Sequence, residues 1–358
     1  MRDVKAGLEG VVAVETEIAE PDREGSALRY RGIDIEDLVG AKPYEKVWGL
    51  LVDDAFEPGM PDPEPRRPLY STGDARTDLQ AETAALGAEW NLGQLIDIDD
   101  GEARDDLARL SAQMLSIVAH SARGLDREPV PDAVVAEGSG AAAQFLLRWR
   151  GQFEERHVRA LDAYWVSAAE HGLNASTFSA RIVASTGADC AAAMSAAVGA
   201  LSGPLHGGAP TRVLRMLDDV AESGDAERYV KETLDRGQRL MGFGHRVYRA
   251  EDPRARLLRR TARELGSPRV DVAEELERVA LAELRRRRPD RVLATNVEFW
   301  SAVVLDVAAI PAPLYPALFA CARVAGWSAH ILEQKRTGRL IRPSARYVGP
   351  ARRSLAGL

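Results

Sequence analysis

Apolar residues in this chain recur mostly at helical spacing, and this periodicity constrains the fold more than any other feature. Over residues 211–223 the apolar side chains line one face, and Gly224 follows as a stop signal. Residues 252–266 begin with an aspartate suited to cap a helix, continue with a proline and end with a glycine. A third helix is predicted over 271–287, stopped by Pro289. The pattern predicts a mostly helical architecture.

Strand signals are scarce. The alternation over residues 12–18 predicts one short hairpin strand near the N-terminus. No alternation of strands with helices would build a parallel sheet, and no glycine-rich phosphate loop of the Rossmann or Walker type occurs. Residues 57–68, dense in proline and acid, are expected to form a surface loop, and residues 123–139 contain a second break.

Composition excludes several classes of protein. The 358 residues include 47 Lys and Arg against 54 Asp and Glu, and the net charge of −7 argues against general nucleic-acid binding. Cys190 and Cys321 are too few for a disulfide framework or a four-cysteine zinc site, and we expect both to be buried. No secretory signal is visible, and the most apolar stretch, 307–322, is broken by prolines and too short to cross a membrane. We expect a cytoplasmic protein without membrane contact.

The run from Arg285 to Arg288 is the most conspicuous charge cluster. It falls in the last turn of the predicted 271–287 helix, where cations interact favourably with the helix dipole. In an acidic chain, a single such run is weak evidence for nucleic-acid binding.

Three of the six histidines stand beside glycine: His171, His206 and His245. Glycine permits close approach of the backbone to a ligand, so these histidines are candidates for a site, although each alone could be an ordinary core residue. No two histidines have the spacing of a zinc motif, so we expect no metal.

These histidines lie in short segments that follow one another in a fixed order. The segments read E-H-G-L-N-A-S-T at 170–177, G-P-L-H-G-G-A-P at 203–210, M-G-F-G-H-R-V-Y at 241–248, D-P-R-A at 252–255, N-V-E-F-W at 296–300, A-R-V-A-G-W-S-A-H at 322–330 and L-I-R-P at 340–343. With G-L-E-G-V-V at 7–12 and Y-R-G-I-D at 30–34, this set resembles the citrate synthase family over nearly the whole chain.

The resemblance implies the all-helical citrate synthase fold. It places residues 1–205 and 311–358 in a large domain and residues 206–310 in a small domain. The active site would lie in the cleft between the two, and substrate binding would close that cleft.

The resemblance also implies the catalytic residues. His206 would donate a hydrogen bond to the thioester oxygen of acetyl-CoA, and His245 would polarise the carbonyl of oxaloacetate. Glu298 would remove the methyl proton, although the family commonly has aspartate at this position. The two acids have similar reference pKa values, but glutamate is longer by one methylene.

By the same resemblance, four side chains would bind oxaloacetate. His171 would donate a hydrogen bond, and Arg254, Arg323 and Arg342 would grip its carboxylates. Because Arg342 reaches across from the partner subunit in this family, a homodimer is implied.

Coenzyme A would contact the backbone of Met241, Gly242, Phe243 and Gly244 through its adenine, with Arg249 near the phosphates. The CoA thioester is then a substrate, and no further cofactor is needed.

Three functions remain open from the sequence. One is citrate synthase. The second is 2-methylcitrate synthase, which uses propionyl-CoA, since one methylene in a pocket is worth only about 1–3 kcal/mol. The third is a helical binding or regulatory protein without efficient turnover, favoured only by Glu298 in place of aspartate.

Overall fold

The chain folds almost entirely into α-helices, as the periodicity predicts. This computed structural model describes residues 4–8, 10–22, 27–69, 71–203, 206, 210–244, 251–291 and 293–354. The helices within these ranges are α1 (Ile35–Leu38), α2 (Tyr44–Asp53), α3 (Ala75–Glu89), α4 (Asp100–Arg123), α5 (Asp132–Val135), α6 (Ala141–Arg150), α7 (Glu155–Ala168), α8 (Ala175–Ala184), α9 (Cys190–Leu201), α10 (Pro210–Ser223), α11 (Ala226–Asp235), α12 (Pro253–Glu264), α13 (Val270–Arg287), α14 (Val297–Val307) and α15 (Tyr315–Thr337). Two short 3₁₀ turns cover Ala6–Leu8 and Ala312–Leu314.

The three helices predicted from their periodicity are confirmed as α10, α12 and α13. The side chain of Asp252 caps α12 by accepting a hydrogen bond from the backbone N–H of Arg254, and Pro253 is the first helical residue. Gly266, just beyond the end of α12, has a φ of +66°, which glycine adopts without a steric penalty. The predicted loop at 57–68 contains no helix or strand, and the break at 123–139 contains only the single turn of α5.

The strand predicted over residues 12–18 is wrong. Those residues form no strand; Val12 is 86% exposed, and of the alternating side chains only Ile18 is buried. The strands begin one residue later, as β1 (Ala19–Pro21), β2 (Leu28–Tyr30) and β3 (Ile33–Asp34), which pair antiparallel in that order. The buried Tyr30 hydroxyl lies 3.1 Å from the carbonyl oxygens of both Val166 and Glu170, which share its one proton, so the small sheet is attached to the end of α7.

Helix α15 forms the centre of the molecule. It packs against α2, α3, α4, α7, α8 and α9, and 17 of its 23 residues are buried. A helix surrounded on all sides must be apolar or have its polar groups paired. The buried side chains of α15 nevertheless include Arg323, His330 and Gln334. Both cysteines are also buried, as expected, with Cys321 on α15 and Cys190 at the start of α9.

Helices α10 to α14 form a second set of neighbours. Within it α12 packs on α14, α11 on α13 and α10 on α14, while α12 and α14 also contact α7 of the first set. The division into domains at residues 205 and 311 stays a prediction. None of the helices in the described ranges is long and apolar enough to cross a membrane.

Close approach between α15 and the end of α7 requires a glycine at position 326. Its backbone N–H donates to the carbonyl oxygen of Ala169 at 3.2 Å. A Cβ at this position would lie 2.1 Å from Oε2 of Glu170 and 2.6 Å from the Ala169 oxygen, both closer than any real contact.

We therefore expect Gly326→Ala to lower the free energy of unfolding by about 1–3 kcal/mol, because the new methyl group must displace Glu170 or the Ala169 backbone. Urea unfolding followed by circular dichroism measures this change. Gly101→Ala is the control, since a Cβ at Gly101 would approach only the side chain of Asp99, at 3.2 Å. Equal stability of the two variants would contradict the close packing described here.

Candidate active site

Glu298 lies in the first turn of α14, and Asn296 fixes its position. The side-chain oxygen of Asn296 accepts a hydrogen bond from the Glu298 backbone N–H at 3.0 Å. The side-chain N–H of Asn296 donates to the Gly244 carbonyl oxygen at 2.9 Å, and its backbone N–H donates to that of Gly242 at the same distance. The segment Met241–Gly244 is therefore joined to the start of the helix that carries Glu298.

Glycine is required within this segment. Gly242 has a φ of +86°, and a Cβ there would lie 2.8 Å from Cβ of Phe299. Phe243 forms a backbone bridge with Thr295, and its ring centroid lies 5.3 Å from that of Phe299. The half-buried Met241 completes a tight turn packed on α14. The segment Met241–Gly244, expected to contact coenzyme A, is thus held against the start of α14, which carries the expected base Glu298.

Asp252 connects the starts of α12 and α14. Its carboxylate accepts two hydrogen bonds from the guanidinium of Arg254, at 3.0 and 2.8 Å, and a third from the backbone N–H of Val297 at 3.1 Å. Both charged side chains are buried. Arg254 therefore already holds a carboxylate of the protein, and a substrate carboxylate would have to share it.

The Glu298 carboxyl group is desolvated. Burial raises its pKa to about 7, with Asp252 adding to the effect and the positive charge of Arg254 opposing it. Among the described residues, the carboxyl group has neither a hydrogen-bond donor nor an ion-pair partner. A half-buried, unpartnered carboxylate whose pKa lies near neutrality is suited to accept a proton from a substrate.

Arg323 is a buried cation. It is 2% exposed, its Nε–H donates to the Ala168 carbonyl oxygen at 2.9 Å, and its guanidinium carbon lies 5.0 Å from the centroid of the Phe319 ring. Burial lowers its pKa, the negative charge of Glu170 opposes this, and the charge of Arg254 adds to it. Within the described ranges of the chain, it forms no ion pair.

His206 also lies beside Phe319, with the two ring centroids 5.8 Å apart. Burial and the nearby charge of Arg323 lower its pKa to about 4, so the imidazole is neutral at physiological pH. Its Nε2 lies 2.9 Å from the hydroxyl oxygen of Ser176, which also accepts from Nε1 of Trp327 at 3.2 Å. Nε2 is therefore engaged by the protein, which leaves Nδ1 as the nitrogen for a ligand among the contacts that the structure describes.

The placement of the Ser176 proton decides which nitrogen of His206 carries hydrogen. The hydroxyl group lies within 2.8 Å of the side-chain oxygen of Asn174 and has one proton to give. That oxygen already accepts from the backbone N–H groups of Ser176 and Thr177, at 3.1 Å each. We therefore expect the proton to go to Nε2 of His206, which leaves Nδ1–H as a donor.

His171 follows directly after a buried polar network. Glu170 is fully buried, its Oε1 lies 3.3 Å from Nε2 of His330, and its backbone is bonded to the Tyr30 hydroxyl. Nδ1 of His330 faces the guanidinium of Arg181 at 2.8 Å. Because arginine only donates, His330 accepts at Nδ1 and donates from Nε2 to Glu170. This network fixes the backbone that carries the buried His171.

One predicted site residue is not brought to this region, and two others lie outside the described part of the chain. Arg342 lies in the exposed segment after α15 and forms no ion pair among the described residues. His245 and Arg249 lie outside the described residues.

Sequence reasoning missed four residues of the site: Tyr164, Glu170, Ser176 and Asp252. Glu170, Ser176 and Asp252 stand inside the motifs at 170–177 and 252–255, so their place in a motif could have identified them as candidates for the site. Tyr164 lies on α7 without any such signal. Burial raises its pKa, and it lies within electrostatic range of Arg323, Glu298 and Arg254.

We expect His206 to titrate at about pH 4 and to carry its proton on Nδ1 between pH 6 and 8, because it is buried beside a cation and its Nε2 accepts from Ser176. Ring ¹⁵N chemical shifts, assigned by comparison with His206→Gln, report both properties. Ser176→Ala should abolish the preference for Nδ1–H.

The matched control is Ser179→Ala on the same helix, whose hydroxyl group bonds, among the described residues, to its own helix backbone at Ala175. This control should leave the His206 signals unchanged. A titration midpoint above pH 6 in the unmodified protein would contradict the description of this histidine.

Comparison with known proteins places these features in a family. The sequence model described as "Citrate synthase, C-terminal domain" matches residues 7–344. A protein of Mycobacterium tuberculosis named "Putative citrate synthase 2" is 61% identical, with 97% of this chain and 94% of the relative covered. The citrate synthase of Haloferax volcanii is 38% identical over 97% and 96% of the two chains, and the 2-methylcitrate synthase of Shewanella oneidensis is 30% identical over 98% and 96%.

A solved structure agrees with this assignment. Citrate synthase from Thermoplasma acidophilum, in a ternary complex with carboxymethyl coenzyme A and oxaloacetate, superposes with a TM-score of 0.85, 27% identity and full coverage of both chains. The all-α fold expected from the sequence is therefore confirmed as the citrate synthase fold. The chain belongs to the citrate synthase family.

Proposed function

We propose that the protein condenses acetyl-CoA with oxaloacetate and hydrolyses the resulting citryl thioester to citrate and free CoA. The observation that carries this proposal is the buried Arg323, which forms no ion pair among the described residues. A buried guanidinium without a carboxylate is unfavourable unless a ligand supplies the anion. Oxaloacetate has two carboxylates, and it is present in the solved complex from Thermoplasma acidophilum.

The proposed first step is enolate formation. Glu298 takes a proton from the methyl group of acetyl-CoA, and the thioester oxygen that gains negative charge accepts a hydrogen bond from Nδ1–H of His206. A weak carbon acid can be deprotonated by a carboxylate only if the enolate is stabilised at the same moment. The pKa of about 7 at Glu298 and the neutral imidazole of His206 support these two roles.

The following steps use oxaloacetate and water. The enolate carbon attacks the ketone carbon of oxaloacetate, whose oxygen is protonated by His245, and citryl-CoA forms. Water then cleaves the thioester and releases the CoA thiol. We assign Arg254, Arg323 and Arg342 of the partner subunit to the carboxylates, with His171 as a further donor.

For coenzyme A we propose the backbone of Met241–Gly244 as the adenine contact and Arg249 as a phosphate contact. The hydrogen bonds from Asn296 to Gly242 and Gly244 support a rigid loop here. The chemistry consists of proton transfers and acyl transfer, so it requires no metal or redox cofactor. No group of metal-ligating side chains occurs in the part of the chain that is described.

Propionyl-CoA is the second candidate substrate. A relative named 2-methylcitrate synthase is 30% identical, and the extra methylene of propionyl-CoA changes binding by only about 1–3 kcal/mol. Glu298 is one methylene longer than the aspartate usual in the family, and we expect it to leave less space for a longer acyl group. This favours acetyl-CoA.

Release of CoA thiol on mixing the protein with oxaloacetate and acetyl-CoA tests the proposal, with propionyl-CoA run in parallel. We expect oxaloacetate-dependent release that is faster with acetyl-CoA. Because the base must be ionised, kcat/KM should fall about tenfold per pH unit below the Glu298 pKa of about 7 and level off above it. Glu298→Gln should lower kcat by a factor of about 100 or more.

Glu102→Gln is the matched control for that variant. Glu102 also occupies the first turn of a helix, with its backbone N–H bonded to a capping side chain, but it is exposed on α4. Faster release from propionyl-CoA would assign the protein to 2-methylcitrate synthesis. No release from either thioester by folded protein would leave the non-catalytic alternative.

A further inference from the structure

The motif Y-R-G-I-D, which begins at the buried Tyr30, has no role in the proposed mechanism, yet it adjoins the candidate active site. The Tyr30 hydroxyl lies 3.1 Å from the carbonyl oxygen of Glu170 and accepts from the backbone N–H of the same residue at 3.2 Å, directly before His171. Burial raises the pKa of Tyr30, whereas the charges of Arg254 and Arg323 lower it. Tyr30 is therefore within electrostatic range of both arginines.

Tyr30 is connected to the short helix α1 by a tight turn. It is the last residue of β2, and the next two residues, Arg31 and Gly32, both have a positive φ, of +48° and +82°. Positive φ at both central residues is the geometry that two-residue hairpin turns favour. Asp34 then caps α1 by accepting a hydrogen bond from the backbone N–H of Glu36 at 3.0 Å. Local structure thus fixes Glu36 relative to Tyr30.

Glu36 pairs with two arginines of α12. Its Oε1 accepts hydrogen bonds from Nε–H of Arg256, at 2.9 Å, and from Nη2 of the same side chain. Its Oε2 lies 3.7 Å from Nη1 of Arg260. Arg256 stands two residues after Arg254 in the same helix. These ion pairs therefore join α1 to the helix that carries a predicted carboxylate-binding arginine.

The segment from Tyr30 to Glu36 thus contacts the backbone that carries His171 at one end and α12 at the other. The side chains of Glu36 and Arg256 are 33% and 39% exposed, so water screens their attraction and the pair contributes little to the stability of the fold. Its loss should leave the protein folded. An interaction of this strength still changes a binding equilibrium severalfold if it is coupled to the site.

We propose that Glu36 is a positioning residue for oxaloacetate. Through its ion pairs with α12 it holds Arg254 in place relative to His171 and Arg323, so that the three side chains bind one substrate without first having to be brought together. Positions fixed before binding reduce the cost of ordering the site. Glu36 itself does not contact the substrate. This inference rests on the proposed function, because it concerns the same site and the same substrate.

Kinetics and isothermal titration of the full-length Glu36→Gln variant test this role. We expect KM and Kd for oxaloacetate to rise about threefold to fivefold, whereas kcat and the KM for acetyl-CoA, measured at saturating oxaloacetate, change by less than about twofold. A general loss of structure would instead lower kcat. The difference between the variant and the unmodified protein should shrink at high NaCl concentration, because salt screens a partly exposed ion pair.

Asp37→Asn is the matched control. Asp37 is the next residue of α1, carries the same charge, is exposed and forms no ion pair with any residue that the structure describes. Its substitution should leave the affinity for oxaloacetate unchanged. Arg260→Gln removes the more distant partner of Glu36 and should raise the KM for oxaloacetate by a smaller factor. This second variant tests the role independently if circular dichroism shows that Glu36→Gln folds poorly.

Equal affinity of Glu36→Gln and the unmodified protein for oxaloacetate at low salt would overturn the inference, as would an equal loss in Asp37→Asn. A fall in kcat with both KM values raised together would also overturn it, because that result indicates a general structural defect. Failure of the proposed function gives a different result: the unmodified protein itself does not bind oxaloacetate, and the role of Glu36 fails with it.

Discussion

The structure depends on a positive charge buried in its central helix. Arg323 stands on α15, which is surrounded by six other helices, and among the described residues its one hydrogen bond is to the Ala168 carbonyl oxygen. Taking a cation out of water costs several kcal/mol, and this cost is offset only when an anion approaches it. This charge affects the titration of its neighbours. It helps to lower the pKa of His206, which keeps that imidazole neutral, and it opposes the rise that burial causes in the pKa of Tyr164. The cost of burying this cation is why we propose Arg323 as a group that binds an anionic substrate.

The groups around this cation are held by short, buried connections. Asp252 joins the first turns of α12 and α14 and holds Arg254, while Asn296 joins the Met241–Gly244 segment to Glu298. His330 on α15 is hydrogen-bonded to Glu170, which follows α7, and this contact fixes the backbone before His171. Hydrogen-bonded positioning of this kind keeps proton donors and acceptors within reach of a substrate, where a displacement of about 1 Å can cost a factor of about 100 in rate.

Much of this arrangement could be predicted from the sequence, and the remainder has physical reasons. Helix α12 was predictable because its capping aspartate, its proline and its terminal glycine are local signals. The order of the motifs identified the family. The strand at 12–18 was wrong because alternation alone does not provide a buried face. Periodicity does not encode contacts between side chains. It therefore could not predict the pairing of Arg254 with Asp252, the contact of Ser176 with His206 or the pairing of Arg286 with Glu283.

Binding of oxaloacetate to variants of Arg323 tests the central claim most directly. Isothermal titration should show that Arg323→Met weakens binding by at least about 30-fold, the equivalent of about 2 kcal/mol for a lost buried charge pair. The control is Arg148→Met, which removes another buried arginine that has no ion pair among the described residues, in α6. Circular dichroism confirms that both variants fold. Equal affinity of the folded Arg323→Met protein and the unmodified protein would contradict this account.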